Sequence, residues 1–367
     1  MTRVPPEAAG TAGAGRASPA PGPSSRPEPP PRGGRHRALG RTVGVLLLLV
    51  ALPSAGTASL AWGTNPLTLD QVWWGLWRRD GAEADLIVWT LRVPRTVVGV
   101  LVGAAFGMAG ALIQALTRNP LADPGILGVN AGAGFAVTLG VGLLGLTGMG
   151  GYVWCAFAGA AVATVLVYLI GSAGRGPARP VTLVLAGVAL GAVLTGFSTF
   201  LTLIDEHTFR SVRTWGLGSI ARVSLDDTLA VLPFLATGML LALLLSRPLN
   251  SLALGDDLAS SLGVRVVRTR VLGIVAVTLL AGGATALTGG LAFVGLMVPH
   301  VVRWFVGPDQ RWIIACSAPA AAVLVLAADV LGRLVARPSE VEVGIVTAVV
   351  GAPVLIALVR ARRASGL

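Results

Sequence analysis

Few residues in this chain could do chemistry. Its 367 residues include no lysine, three histidines and two cysteines, and only 12% are charged. Without lysine, neither a GxxxxGK[ST] phosphate loop nor a Schiff base can form. Any ATP that drives this protein is therefore hydrolysed by another chain. Cys155 and Cys316 lie inside apolar runs and read as buried thiols, not a bridge. His300 follows Pro299 with no second histidine or acid at helical spacing, so both are read as structure and no metal site is expected. The arginines remain. Arg92 and Arg95 flank Pro94, and Arg333 stands one helical turn after Asp329. Guanidinium groups at helix ends snorkel to an interface or pair with carboxylates. That is recognition chemistry, with no covalent step.

Four hydroxyls make the other polar pattern. Thr195, Ser198, Thr199 and Thr202 share one face of a helix by its period. Bonds to carbonyls one turn back would account for them structurally; a weakly polar wall along a translocation path is the alternative. Both patterns need helices to hold them. The most informative stretch is Leu91 to Asn130. Within it Val97 to Leu116 carries no charge and is long enough to cross a bilayer core. Gly99, Gly103, Gly107, Ala111 and Ala115 recur every fourth residue, a ridge without bulk that lets a second helix approach closely. A central helix enclosed by protein is expected here. It stops at Arg118-Asn119-Pro120, and Asp123-Pro124-Gly125 reads as a turn.

Composition sets the class. Mean hydropathy is +0.78 and 54% of residues are hydrophobic, whereas soluble domains carry about 25% charged residues. Apolar runs repeat along the chain, which predicts an all-α polytopic membrane protein. Ten spans are expected: Val43–Trp62, Val97–Leu116, Leu127–Thr147, Tyr152–Gly171, Val181–Ile204, Thr228–Ser246, Val271–Thr288, Gly290–Val306, Trp312–Leu331 and Val343–Val359. Residues 1–41, rich in Pro, Ala, Gly and Arg, are expected to form a disordered cytoplasmic tail. Their basic end precedes the first span much as in a signal peptide, but the run reaches spanning length and is read as retained. Residues 42–360 form the membrane domain and 361–367 a second basic tail. Both ends are basic, so both should be cytoplasmic, which an even number of spans allows. The formal charge of +11 comes entirely from arginine, and this topology leaves nine of the 28 outside, an excess that asks for an explanation.

The longest inner loop, Arg247 to Arg270, contains helix punctuation of its own. Asp256 and Asp257 suit a helix start and Gly263 a stop. Leu254, Leu258 and Leu262 then fall on one face. That face must rest on the bundle, on the membrane surface or on a partner.

These residues together resemble one family. The stretch RVPRTVVGVLVGAAFGMAGALIQALTRNPLADPGILGVNAGAG, the block GGLAFVGLMVPHVVRWFVGPDQR from Gly289 to Arg311, and VGIVTAVVGAPVLIALV from Val343 to Val359 are similar to the membrane subunits of ABC importers for iron–siderophore complexes, haem and cobalamin. The likeness runs from about Leu60 to Arg360. It implies a ten-helix permease of the cytoplasmic membrane that pairs with a second permease subunit and works with two ATPase subunits and an external substrate-binding protein. ATP and magnesium would sit on the ATPase; no cofactor, metal, enzyme activity or nucleic acid is implied for this chain. The segment Leu254, Gly255, Asp256, Asp257, Leu258, Ala259, Leu262 and Gly263 matches the part that meets the ATPase. Arg92, Arg95 and Arg333 match positions that meet carboxylates of the binding protein. Gln114, Asn119, Pro120, Pro299 and His300 match structural motif positions, and the fifth and last spans match the walls of the path. Two departures stand out: Gly289-Gly290 where the family has Gly-Pro, and Glu342 in place of its usual Pro.

The expected function is thus a permease for a ferric siderophore, with haem or cobalamin as alternative cargo. An ion-coupled secondary transporter, the contrasting reading, needs ionisable groups at mid-membrane, and the spans have almost none.

Overall fold

A computed structural model describes residues 33–78, 81–173 and 180–364. Among them the chain is helical throughout, with no strand. The helices are α1 Gly33–Ala61, α2 Leu69–Trp77, α3 Glu83–Leu86, α4 Val93–Thr117, α5 Val129–Leu144, α6 Met149–Ser172, α7 Pro180–Ile204, α8 Glu206–Gly216, α9 Leu225–Leu252, α10 Asp256–Ser261, α11 Val266–Val277, α12 Gly283–Thr288, α13 Val294–Val306, α14 Gln310–Val335 and α15 Val343–Ala364. A π-helical segment, Ile87–Arg92, joins α3 to α4 into one rod, and another, Thr278–Gly282, joins α11 to α12.

Among the described residues seven helices are long and apolar enough to cross a membrane: Leu39–Ala61, Glu83–Thr117, Met149–Ser172, Val181–Ile204, Leu225–Leu252, Val266–Thr288 and Gln310–Val335. The expected third, eighth and tenth spans correspond to shorter apolar helices, Val129–Leu144, Val294–Val306 and Val343–Ala357. Glycine explains part of this shortening. Gly145 adopts φ 61° at the end of α5, and Gly289 adopts φ 73° between α12 and α13, backbone states that favour glycine and end a helix. Other boundaries also move. α1 begins at Gly33, inside the stretch expected to be disordered; residues 1–32 of that tail lie outside the described part. α15 continues to Ala364, into the expected second tail, whose residues 365–367 are likewise outside it. α9 does not stop at Ser246 but runs through Pro248 to Leu252, because a proline withholds only one backbone donor and the chain beyond it still forms helix.

The rod ending in α4 is the organising element. Of its most apolar stretch, 72% is buried inside the protein, against 17% for α1 and α7. Its small-residue ridge lies on α14. A Cβ placed at Gly103 would stand 2.6 Å from Ala322 Cα, one at Gly107 2.3 Å from the Ser317 carbonyl oxygen, and one at Gly99 2.7 Å from Leu326 Cδ2. Gly110 lies against α13 instead, where a Cβ would come within 1.8 Å of the Gly295 carbonyl oxygen. Two neighbours therefore meet α4 at backbone distance, as small residues allow where apolar burial cannot drive helix association.

Candidate functional site

The proline in α13 shows how the motif residues support one another. Pro299 has no N–H, so the carbonyl of Gly295, four residues back, loses its helical donor. In a membrane that loss has to be made good by protein. Gln114, on α4 and 2% exposed, donates its amide to Gly295 at 3.4 Å and to Leu296 at 3.0 Å. Gln114 and Pro299 thus form one structural unit across two helices. His300 is buried and stands edge-on to Trp304 at 6.1 Å.

Below α4 the chain turns sharply. Arg118 closes the helix in the left-handed region, φ 51°. The Asn119 side chain accepts from Leu121 N–H at 3.0 Å, after which Pro120 continues the turn. Asp123 caps a 3-10 turn, Pro124–Leu127, by accepting from Gly125 N–H at 2.8 Å. Burial pushes the Asp123 carboxyl above its ordinary range, with the Gly125 N–H working against that rise.

Between α9 and α11, α10 forms over Asp256–Ser261 as its punctuation predicts, preceded by Gly255 at φ 115° and followed by Gly263 at φ 82°. Ala259 is buried against the bundle, while Leu254, Leu258 and Leu262 are 60%, 57% and 64% exposed. The leucine row has no cover among the described residues. Asp257 is exposed, whereas Asp256 is bound on two sides. Arg118 pairs with it from the end of α4 and also donates Nε to the Leu252 carbonyl at the end of α9, at 2.8 Å. Arg270, on α11, donates Nη2 to both oxygens of Asp256 at 3.0 and 2.8 Å. Sequence reasoning missed both arginines; Arg118 beside Asn-Pro was visible, its partner was not.

At the opposite end of α4 the three singled-out arginines line one open pocket of about 350 Å³. They are directed inward. Arg92, 3% exposed, donates to the carbonyls of Leu60, Ala61 and Asn65 at 2.6, 2.9 and 2.8 Å, closing the end of α1. Arg333, 2% exposed, pairs with Asp329 at 2.7 Å and bonds the carbonyl and hydroxyl of Ser59. Arg95 clasps Asp329 with Nε and Nη2 and reaches Glu340 with Nη1 at 2.8 Å. One buried carboxylate thus serves two guanidiniums. The turn-spaced pair Asp329–Arg333 is present as expected, while Arg95, Ser59 and Glu340 join it from elsewhere.

Three of the four singled-out hydroxyls of α7 are committed locally. Ser198 donates to the Leu194 carbonyl, Thr199 to Thr195 and Thr202 to Thr199, all at 2.9 Å. Phe197 and Phe200 on the same helix stand exposed.

Residues 47–361 match the model of the FecCD transport family. The chain belongs to that family. Among its FecCD relatives, the ferric enterobactin transport system permease protein FepD of Escherichia coli is 46% identical over 90% of this chain and 98% of its own length. The iron(3+)-hydroxamate import system permease protein FhuB of Bacillus subtilis is 38% identical over 88% of this chain and 85% of its own. Permeases for hemin and cobalamin are also relatives. A solved inward-facing ABC transporter assigned to the metal-chelate type superposes with a TM-score of 0.76 at 27% identity, covering 85% of this chain and 97% of that one. A FecCD protein is a membrane-embedded transport subunit of the cytoplasmic membrane and not an enzyme.

Proposed function

We propose that this chain is one of two permease subunits of an ATP-driven importer and that its cargo is a ferric siderophore. The carrying observation is the exposed row Leu254, Leu258 and Leu262, on and immediately flanking α10. It is fixed to the bundle by Ala259 and Asp256 and faces away from it. A lysine-free chain has no nucleotide site of the P-loop kind, so the work of ATP enters through a partner, and this row is a surface shaped for one. The 46% identity to a ferric enterobactin permease favours siderophore over hemin or cobalamin. Seven long and three short apolar helices suit a ten-span arrangement with both termini cytoplasmic.

At the outer face a substrate-binding protein would offer carboxylates. Arg95 is the reachable guanidinium, since Arg92 and Arg333 are spent on the bundle. Its bond to the part-exposed Glu340 is the one an incoming carboxylate would exchange with, because partly exposed ion pairs are weak. The fifth span, its hydroxyls turned to its own carbonyls and its phenylalanines outward, would give a wall with little affinity for cargo.

The test is radiolabelled-iron uptake in cells that carry this chain with its partner subunits, supplied with ferric siderophores. Uptake that stops when the chain is deleted and returns with it supports the reading. Accumulation by the purified chain alone, driven by an ion gradient, would overturn it.

A further inference from the structure

A groove of about 360 Å³ runs between α6, α9 and α11. Neither α7 nor α15, the spans matched to the walls of the path, borders it. The three helices that do belong to segments long and apolar enough to cross a membrane, and Val165 and Val275 on its walls are exposed. The groove therefore opens on the flank of the spans, where the solvent is hydrocarbon. No charged residue lines it, and its threonine hydroxyls are closed off: Thr164 donates to the Ala160 carbonyl and Thr278 to that of Ile274, both at 2.9 Å. Phe157 and Phe234, 4.9 Å apart, close one end, and a Cβ at Gly282 would stand 3.8 Å from Phe157, so this is the end toward α12. Tyr168 and Val271 form the other end. There the apolar run of α11 begins, directly after Arg268 and Arg270. Arg270 is taken by Asp256. Arg268, nearly one turn before Val271, is exposed and forms no ion pair or hydrogen bond among the described residues. From Val271 to Leu279 the helix rises about 12 Å, close to the depth of about 15 Å that one leaflet contributes to the hydrocarbon core.

We propose that this groove is a site for an anionic phospholipid, with one acyl chain lying along it and the phosphate paired to Arg268. Two features select that occupant. A groove whose hydroxyls are already bonded offers a polar ligand nothing in return for its desolvation, whereas a hydrocarbon chain gains contact along the whole length. The cation stands at the end where the apolar run begins, which is the level of the headgroups, and a guanidinium presents a planar N–H fork to phosphate oxygens. A zwitterionic lipid brings an ammonium group beside its phosphate and so loses part of the attraction that a net anionic lipid keeps. The proposal rests on the place of the chain in the membrane and not on its cargo. A lipid held there ties α6 to α11, the helix that Arg270 joins to α10.

The experiment uses the intact importer, delipidated in neutral detergent. Phosphatidylglycerol and phosphatidylcholine with brominated acyl chains are titrated separately, reading the part of the tryptophan quenching that Trp154→Phe removes. Trp154 stands against Phe234 at 6.2 Å, beside the closed end of the groove. Phosphatidylglycerol is expected to bind about fivefold more tightly than phosphatidylcholine. Arg268→Gln should abolish that preference, Arg268→Lys should keep it, and Ala161→Phe, which fills the groove, should weaken both lipids. Arg268 is exposed, so its two variants carry the test by themselves where Ala161→Phe fails to fold. Equal binding of the two lipids, a preference indifferent to Arg268→Gln, or a folded Ala161→Phe protein that binds both lipids like wild type would overturn the site. Soluble glycerol 3-phosphate that displaced the lipid at equal concentration would overturn it as well, since the site would then be one for a free anion. Quenching seen with the purified chain but lost in the importer would show that a partner subunit covers the groove, and the lipid assignment would fall.

Discussion

Asp329 is the residue on which the outer network turns. It is 1% exposed and shared by Arg95 and Arg333, which come from different helices. Removing one member of a buried ionic cluster leaves the others charged and unpaired, at about 3–5 kcal/mol. Asp329→Ala is therefore expected to lower the melting temperature of the purified protein sharply, and Glu340→Ala, at the exposed edge, to change it little. Equal effects would show that burial is not what matters. Asp309, at the N-cap of α14, offers a pH test. Burial disfavours its charge, but the Asn250 amide, the Arg311 N–H and the nearby charges of Arg311 and Arg41 outweigh this and hold the carboxyl below its usual range. A depressed carboxylate contributes stability that is present above its unfolded value, about 3.9, and is lost as pH falls through the folded value. Wild type should lose its margin over Asp309→Asn on acidification below about pH 4, as read by thermal unfolding. The spacing of Asp329 and Arg333 made their pair legible in sequence. Arg95 was legible as a cation but not as the partner of an acid 234 residues away, and nothing in the RVPR stretch indicates that Arg92 bonds carbonyls of the first span.

The elements divide into those whose packing is written in their residue types and those cut short by the backbone. The four-residue small-side-chain period of α4 foretold close approach by another helix, and α14 is that helix. It could not name the partner, because glycine identifies a place for contact and not what makes it. Gly110 and Gly134 separate the two roles of helical glycine. At Gly110 a Cβ would strike the Gly295 carbonyl at 1.8 Å; at Gly134 it would meet nothing within 4 Å. Gly110→Ala should destabilise by about 1–3 kcal/mol through overpacking, whereas Gly134→Ala should stabilise by up to about 1 kcal/mol through helix propensity. Melting temperatures of the two variants should move in opposite directions. For α10, Leu258→Glu alters a side chain that is 57% exposed, so the protein should fold and melt normally while its capture of ATPase subunits falls at least about tenfold, the equivalent of one lost apolar contact of about 1.4 kcal/mol. Normal capture would remove α10 as the contact.

For the whole molecule the proposed coupling raises the question of how motion at α10 would reach a path between the long spans. A conformational equilibrium is shifted only through contacts that differ between its states, so α10 needs rigid connections to the spans. Asp256 supplies them. Through Arg118 it holds the ends of α4 and α9, and through Arg270 it holds α11. α4 in turn carries α14 on its glycine ridge and α13 through Gln114, so a displacement of α10 is delivered to the buried centre of the bundle. Asp256→Ala removes the ion pairs with Arg118 and Arg270, three hydrogen bonds in part-exposed pairs that contribute about 0–1 kcal/mol per pair, but leaves the leucine row untouched. The ATPase should still bind and hydrolyse ATP within about twofold of wild type, while uptake per ATP falls more than about tenfold. Leu258→Glu, which alters the exposed row and leaves the Asp256 pairs in place, should lower ATPase capture instead. Measured side by side in proteoliposomes, the two variants separate transmission from docking. If the Asp256 variant kept the wild-type ratio of uptake to hydrolysis, force would have to enter through the leucines alone, and the Arg118–Asp256–Arg270 bridge would be an ornament of the fold.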